Sequence, residues 1–159
     1  MKKRIKLIIL SLIIFLLDRI SKIIIVSKIA YLSKHQILKN ILSITYVKNT
    51  GAAWSILEGK QLLLIAIGII FLSLILLIAL KEKSTLINTI QYALILGGGL
   101  GNLYDRIFLN YVIDFISIDI LNFPIFNLAD MFICIGTFML IISVLRSEKA
   151  WLKLQMKII

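Results

Sequence analysis

Four of the chain's five aspartates lie in one stretch, Gly97 to Asp130, which joins two long apolar segments. A carboxylate in or near lipid costs free energy, so a chain this apolar should keep few of them without a function. Two carboxylates within a few ångströms cannot both ionise cheaply, and such a pair shares one proton near neutral pH. A proton-sharing pair can hydrolyse a peptide bond without a metal or a covalent intermediate. The stretch therefore predicts an aspartate pair at a membrane surface.

Spacing alone does not assign the pair among Asp105, Asp114 and Asp130. The same residues could cap helices or pair with Arg106 and Lys22, and acids within membranes also mark ion pathways. A small channel or transporter subunit with a cation site is therefore the alternative function, and a purely structural membrane protein is a third. Asp119 belongs to no motif and is expected to be solvated.

The chain has few of the residues that other hydrolytic mechanisms use, such as histidine and cysteine. The one cysteine, Cys134, lies in an apolar run, and the one histidine, His35, lies in a polar stretch. A Cys/His metal cluster and an internal disulfide cannot be built from them. We expect a packed thiol and a solvated imidazole, and we predict neither a metal nor a cofactor.

The composition is that of an integral membrane protein. The chain has 159 residues, 60% of them hydrophobic, and a mean hydropathy of +1.03, which is more apolar than a soluble domain of this length. We expect one membrane domain over residues 1–159. The net charge of +10 is interpreted as topological, because no basic patch interleaved with aromatic residues indicates nucleic-acid binding.

The predicted fold is an all-α membrane bundle of four transmembrane helices, with a small β-cradle and a short helix on the outer face. Each apolar segment is long enough to cross a bilayer. The spans are expected at about 5–26, 62–80, 86–104 and 128–145.

Two segments are predicted to form the outer face. The first is the β-cradle at about 30–60, with a strand at 40–47 because that run is rich in β-branched and aromatic residues, and a turn at Asn49-Thr50-Gly51. The second is a loop over 105–127, where the short helix is expected. In the fourth span, Asn127 is positioned to cap the helix and Asp130 lies in its first turn.

The distribution of lysine and arginine predicts the orientation. Residues 1–6, 81–85 and 146–159 hold ten of these cations in 25 positions, whereas 28–60 and 105–129 hold six in 58. The basic side of a membrane protein is normally cytoplasmic, so both termini are expected inside. The aspartates of the central stretch then lie near the outer boundary.

Five motifs in this order closely resemble the bacterial lipoprotein signal peptidase family, also called signal peptidase II. They cover nearly the whole chain, and together they are far more specific than any one of them. The motifs are Asp18-Arg-Ile-Ser-Lys22, Asn49-Thr-Gly-Ala-Ala-Trp54, Gly98-Gly-Leu-Gly-Asn102-Leu-Tyr-Asp105-Arg106, Val112-Ile-Asp114-Phe115 and Phe123-Pro-Ile-Phe-Asn127-Leu-Ala-Asp130.

The resemblance implies an aspartic endopeptidase of the bacterial plasma membrane that removes signal peptides from prolipoproteins. It implies cleavage before a cysteine that already carries diacylglycerol. It selects Asp114 and Asp130 as the catalytic pair. The substrate-facing positions of the family correspond to Asn49, Gly98, Asn102, Arg106 and Asn127, and structural support is expected from Asp18, Lys22 and Asp105. The expected partners are the lipid-modified prolipoprotein and membrane lipid, with the enzyme taken as a monomer.

Overall fold

The computed structural model describes residues 2–82, 85–120 and 123–155, with side chains described at 4–82, 85–120 and 123–146. This part of the chain is mostly helical and carries one small antiparallel sheet, which agrees with the predicted helical bundle and small β-structure. The elements in chain order are α1 (Lys2–Lys28), β1 (Lys34–Leu38), β2 (Leu42–Asn49), a 3-10 helix (Ala53–Ser55), α2 (Gln61–Lys81), α3 (Leu86–Leu109), β3 (Val112–Ile118) and α4 (Leu128–Gln155).

Helix α3 is the centre of the bundle and packs against α1, α2 and α4. Its run of glycines makes this possible, because each glycine admits a different neighbour. A Cβ atom on Gly97 would lie 2.6 Å from a backbone oxygen of α1, and one on Gly98 would lie 2.6 Å from the carbonyl oxygen of Ala129 in α4. A Cβ atom on Gly99 would strike Leu72 in α2. Small residues of this kind let membrane helices approach closely.

The segment after Tyr104 differs from the prediction. Helix α3 continues to Leu109 and ends at Asn110, whose φ of 63° stops the helix in the left-handed region. The expected short helix within 105–127 is wrong: β3 occupies Val112–Ile118. This run is rich in β-branched residues and pairs with β2, which was not foreseen. A 3-10 turn lies at Ala53–Ser55, after β2.

The sheet has the order β1-β2-β3, with both neighbouring pairs antiparallel. The central strand β2 lies two residues later than the predicted 40–47. Its register sets Val47 opposite Asp114 and Asn49 opposite Val112. A buried cluster including Tyr46 and Phe115 lies under the sheet. The sheet thereby fixes Asp114 beside the end of β2.

In the part of the chain that the structure describes, two helices are long and apolar enough to cross a membrane by length and composition, Gln61–Lys81 and Leu128–Arg146. Only 17% and 11% of the residues in their most apolar windows are buried, so most of their surface faces away from the protein. Helix α1 carries a group of charges near its second half, which lowers its hydropathy. The two helices that meet this test coincide with the second and fourth of the predicted spans.

Candidate active site

Asp114 and Asp130 are brought together by a return of the chain onto β3. The backbone of Phe126 accepts hydrogen bonds from the N–H groups of Phe115 (2.9 Å) and Ile116 (2.8 Å), and donates to the carbonyl of Ile116 (3.1 Å). Because Phe126 is held beside β3, the start of α4 follows at once next to Asp114. Asp130 lies in the first turn of that helix.

Asn127 connects the two aspartates. Its side-chain oxygen accepts from the N–H of Asp130 (3.0 Å), while the carboxylate of Asp130 accepts from the N–H of Asn127 (3.0 Å). This reciprocal pair is a capping box, which explains both residue types and their spacing of three. The Nδ2 of Asn127 donates to Oδ1 of Asp114 at 2.7 Å. One buried amide thus contacts one aspartate and caps the helix that carries the other.

Asn102 on α3 holds Asp130 from the opposite side. Its Nδ2 donates to Oδ1 of Asp130 at 2.7 Å, and its Oδ1 accepts from Asn127 at 3.0 Å. The same oxygen accepts from Nζ of Lys22 at 3.0 Å. Since an ammonium group can only donate, Lys22 requires the oxygen of Asn102 on its side and so turns the amide nitrogen toward Asp130.

Behind Asn102 lies a buried cluster of charges in which three residues come from the second half of α1. Lys22 forms ion pairs of 2.9 Å with both Asp18 and Asp105, and all three side chains are fully buried. Arg19 also pairs with Asp105, and its guanidinium lies 4.4 Å from the ring centroid of Tyr104. Two acids and two bases sum to zero charge, which lowers the cost of burying them.

The expected supporting residues therefore contact one another, and one partner was missed. Asp18 also accepts from the N–H of Ala129 at 3.1 Å, so α1 is tied to the start of α4. Asp105 accepts from the N–H of Ile113 at 3.2 Å, which ties α3 to β3. Arg19 lies inside the first motif, but its type alone did not assign it a role. The signal was present, because a second charge beside Asp18 in an apolar helix needs its own partner.

The turn after β2 closes the site on a third side. Nδ2 of Asn49 donates to Oδ2 of Asp114 at 2.8 Å, and Oδ1 of Asn49 accepts from the N–H of Gly51 at 2.9 Å. Nη2 of Arg106 donates to the carbonyl of Gly51 at 3.1 Å. Asn49 is thus more than a turn residue: it holds Asp114 directly, and Arg106 holds the turn.

Gly98 occupies a different kind of position. It lies where α3 meets α4, against the carbonyl of Ala129 and next to Phe132 and Ile133. Gly98 thus packs against the backbone of α4 at Ala129, the residue before Asp130. Its predicted contact with substrate stays a prediction.

The environment of Asp114 perturbs its acidity strongly. Burial raises the pKa of the Asp114 carboxyl to about 7, and the negative charge of Asp130 adds to this increase. The hydrogen bonds from Asn49 and Asn127 and the charge of Lys22 act in the opposite direction. A carboxyl group with this pKa is partly protonated at neutral pH and can donate as well as accept a proton.

The expectation that Asp119 is solvated is wrong. Its carboxylate accepts from the hydroxyls of Ser43 (2.6 Å) and Ser117 (2.8 Å) and pairs with Lys34 at 2.9 Å. These contacts, the bond from Ser43 foremost, lower the pKa of Asp119 to about 2. Asp119 fastens the far end of the sheet and contacts neither Asp114 nor Asp130 in the hydrogen bonds of the described residues.

The remaining reactive side chains lie apart from this site. Cys134 is an exposed residue of α4, contrary to the packed thiol expected, and His35 is exposed on β1. Within residues 2–82, 85–120 and 123–155, no group of three or more histidine, cysteine, aspartate or glutamate side chains is placed to hold a metal ion.

Comparisons with known proteins agree on one family. The family profile described as "Signal peptidase (SPase) II" matches residues 10–146. The lipoprotein signal peptidase of Clostridium acetobutylicum is 40% identical over 139 residues, 84% of this chain and 90% of that protein. The lipoprotein signal peptidase of Latilactobacillus sakei is 41% identical over 143 residues, 89% of this chain and 95% of that protein.

Solved structures show the same fold. A structure described as a bacterial membrane enzyme, determined by the in meso method at 2.3 Å resolution, superposes with a TM-score of 0.83 at 32% identity and covers 89% of this chain and 88% of its own. A second bacterial membrane enzyme, at 1.9 Å resolution, superposes with a TM-score of 0.79 at 33% identity, covering 87% and 92%. Neither comparison supports the alternative of a channel or transporter subunit.

Proposed function

This chain belongs to the signal peptidase II family, and we propose that it cuts its substrate as an aspartic endopeptidase with Asp114 and Asp130 as the catalytic pair. Membership of the family establishes the activity but not the catalytic residues: the protein is a membrane protease that removes signal peptides from prolipoproteins. The residues that carry the chemistry, and the way the site meets the membrane, are inferred from the geometry.

One observation carries the choice of the pair. The amide of Asn127 donates to Asp114, and its oxygen accepts from the N–H of Asp130. The two carboxylates are therefore held on either side of one buried side chain, and Asp130 contributes to the raised pKa of Asp114. Asp105, the third candidate from spacing, has both carboxylate oxygens engaged by Lys22, Arg19 and the Ile113 N–H.

The reaction that such a pair supports needs no other group. The ionised carboxylate takes a proton from a water molecule, and the water oxygen bonds to the carbonyl carbon of the scissile peptide. The protonated carboxyl gives its proton to the carbonyl oxygen, which forms a neutral tetrahedral diol. The carboxyl that took the proton from water gives it to the leaving nitrogen, and the C–N bond breaks. One hydroxyl of the diol passes its proton to the other carboxylate as the carbonyl of the new carboxylic acid forms, so the pair again holds one proton and one negative charge.

The asparagines that surround the pair support the substrate proposal as well. Asn49, Asn102 and Asn127 each donate to a catalytic aspartate in the absence of substrate. Arg106 lies beside the pair and holds the Gly51 carbonyl, which orients the turn that borders it. We propose that a substrate lies along this turn, with its backbone near Asn49 and Arg106.

The membrane arrangement follows from where the site lies along the helices. Asp130 starts α4, Asp18 and Lys22 lie toward the end of α1, and the sheet caps this same end of the bundle. We propose four spans, both termini in the cytoplasm and the pair at the outer surface of the plasma membrane. A diacylglyceryl cysteine keeps its chains in the outer leaflet, so the bond before it lies at the level of the pair. Binding of the remote lipid then positions the bond for attack.

The deciding experiment is cleavage of a diacylglyceryl-modified prolipoprotein by the purified protein and by its Asp114→Asn and Asp130→Asn variants. Because each variant removes one partner of the acid–base step, we expect kcat to fall by roughly 10²- to 10⁴-fold or more. Asp119→Asn is the matched control, since it removes a carboxylate of the same outer region that contacts neither catalytic residue.

Turnover retained in either catalytic variant would overturn the assignment. Inhibition of the wild type by globomycin, which the family resemblance associates with this activity, provides an independent check. Unlipidated precursor serves as the substrate control, because the proposed positioning depends on the diacylglyceryl group.

A further inference from the structure

Lys22 is a fully buried cation that does not touch either catalytic aspartate, yet it contacts the residue that does. Its ammonium group forms ion pairs with Asp18 and Asp105, both at 2.9 Å, and donates a hydrogen bond to Asn102 at 3.0 Å. An ion pair with Asp18 and Asp105 would be enough for a structural role. The third contact, to the side-chain oxygen of Asn102, has a consequence for the active site.

Resting on the proposed catalytic pair, we propose that Lys22 is a positioning residue of the reaction: it holds Asn102 with its amide toward Asp130 and so keeps the negative charge of the pair on Asp130 and the proton on Asp114. The family assignment gives Lys22 no such role, and the sequence analysis predicted only structural support. The proposal concerns where the proton lies before the substrate binds.

The first step of the argument is the orientation of the Asn102 amide. Its oxygen accepts from both Lys22 and Asn127, two donors that cannot accept from it in this arrangement. If the amide were reversed, its NH₂ group would face the Lys22 ammonium and its oxygen would face the Asp130 carboxylate. Both contacts would be repulsive, so Lys22 leaves one orientation in which a donor faces Asp130.

The second step is the difference between the two aspartates. Asp130 receives the Asn102 amide, and it also receives the backbone N–H of Asn127 at the N-terminus of α4, where the helix dipole favours negative charge. Asp114 lies in the buried part of β3 and is only 3% exposed. Burial favours its neutral form, and the raised pKa of Asp114 agrees with this.

The charged groups around the pair come from α1 and α3, and the pair itself comes from β3 and α4. Asn49, the β2 residue that contacts the pair, is neutral. The set consists of Asp18, Arg19 and Lys22 from α1, Asp105 and Arg106 from α3, and the two catalytic aspartates themselves. Among the α1 cations, Lys22 donates to Asn102, whereas the side-chain hydrogen bond of Arg19 goes to Asp105.

This difference supplies a matched test. Lys22→Met removes the donor to Asn102, and Arg19→Met removes a cation of the same charge three residues away that shares the partner Asp105. The measurement is kcat/KM for the lipidated precursor as a function of pH, with thermal unfolding in detergent recorded for each variant.

We expect Lys22→Met to move the whole pH profile to higher pH, by roughly half to one unit, and to lower the maximum about tenfold. The acidic limb moves because the ionised form of the pair loses an oriented donor. The alkaline limb moves as well, because the charge of Lys22 acts directly on Asp114 and lowers its pKa in the wild type. The acidic limb is therefore the one that tests the contact with Asn102. Arg19→Met should leave both limbs in place.

Lys22→Met alone leaves Asp18 buried without its partner, so a second variant guards against unfolding. Asp18→Asn with Lys22→Met removes the pair together, and the asparagine oxygen can still accept from the N–H of Ala129. It should show the same shift of the profile as the single variant.

Three outcomes would overturn the proposal. An acidic limb that stays in place in the Lys22 variants would leave only a structural role. An equal shift of the acidic limb in Arg19→Met would indicate a general field effect that does not pass through Asn102. Loss of the folded enzyme in both Lys22 variants would assign the residue to folding. None of these touches the catalytic pair itself, which is tested separately by Asp114→Asn and Asp130→Asn.

Discussion

Substitution of Asn127 separates the two tasks that its side chain performs. Its oxygen caps α4 by accepting from the N–H of Asp130, and its amide donates to Asp114 at 2.7 Å and to Asn102 at 3.0 Å. Asn127→Ala removes all three contacts. Asn127→Ser keeps a capping oxygen but has no group long enough to replace the amide donor.

The expected magnitudes follow from these contacts. Loss of an N-cap costs about 1 kcal/mol, and loss of a hydrogen bond to a charged group about 1.5 kcal/mol or more. We expect Asn127→Ala to lower the free energy of unfolding by roughly 2–3 kcal/mol, and Asn127→Ser to recover about 1 kcal/mol of this.

The effect on activity should not follow stability. The bond from Asn127 lowers the pKa of Asp114, so its loss raises that pKa above about 7. A bond of about 1.5 kcal/mol corresponds to about one pKa unit. We expect the alkaline limb of kcat/KM to move up by about one pH unit in both variants, although their stabilities differ.

The assay combines thermal unfolding in detergent with kcat/KM for the lipidated precursor between about pH 5 and pH 9. This range extends to both sides of the Asp114 pKa of about 7. If Asn127→Ala and Asn127→Ser were equally stable, the proposed contribution of the Asn127 cap to stability would be refuted. An alkaline limb that stays in place in both variants would refute the donation to Asp114 as a determinant of the pair's proton.

Three further predictions concern the pair, the bundle and the membrane. In the wild type, kcat/KM should fall above a pH of about 7 as Asp114 loses its proton. Because the pKa of Asp114 is raised in the folded state, the stabilisation that its proton provides is complete below pH 3.8 and is lost as the pH rises to about 7. Gly98→Ala should cost about 1–3 kcal/mol of stability and reduce kcat, because its Cβ would lie 2.6 Å from the Ala129 carbonyl. Gly68→Ala is the control, because its Cβ would meet only Leu103 at 3.4 Å, and an equal loss in both would contradict the close α3–α4 contact as the cause. In a Cys134→Ala background, an impermeant maleimide added outside intact cells should label Gln36→Cys and not Lys81→Cys, and the reverse pattern would overturn the proposed orientation.

The elements with strong local signals were predictable from the sequence. The apolar run of α2 and the capping pattern from Asn127 to Asp130 are written in neighbouring residues, so periodicity and residue type indicate them. The choice of Asp114 and Asp130 was different, because Asp105 fitted the spacing equally well. Only the family resemblance separated them, and in the structure Asp105 is occupied by Lys22 and Arg19.

Two of the failures depend on contacts distant in sequence. Strand β3 was missed because its partner β2 lies some 65 residues earlier, as in the pairing of Lys48 with Ile113. Asp119 was expected to be solvated because nothing near it in sequence predicts Lys34 and Ser43 as partners. Pairing across a sheet depends on register, which one sequence does not specify for a short outer strand.

The use of asparagines around the pair has a physical reason. A lysine or arginine bonded directly to either aspartate would favour the ionised form and lower the pKa, and the pair would have no proton to donate to a carbonyl oxygen. An apolar surrounding without donors would protonate both acids and leave no base. Amide dipoles stand between these limits: Asn49, Asn102 and Asn127 satisfy the carboxylate oxygens without adding net charge. The cations are set one side chain farther away, Lys22 behind Asn102 and Arg106 on the Gly51 carbonyl. They can stabilise a single negative charge in the pair without stabilising two, which is the condition an acid–base pair of aspartates has to meet.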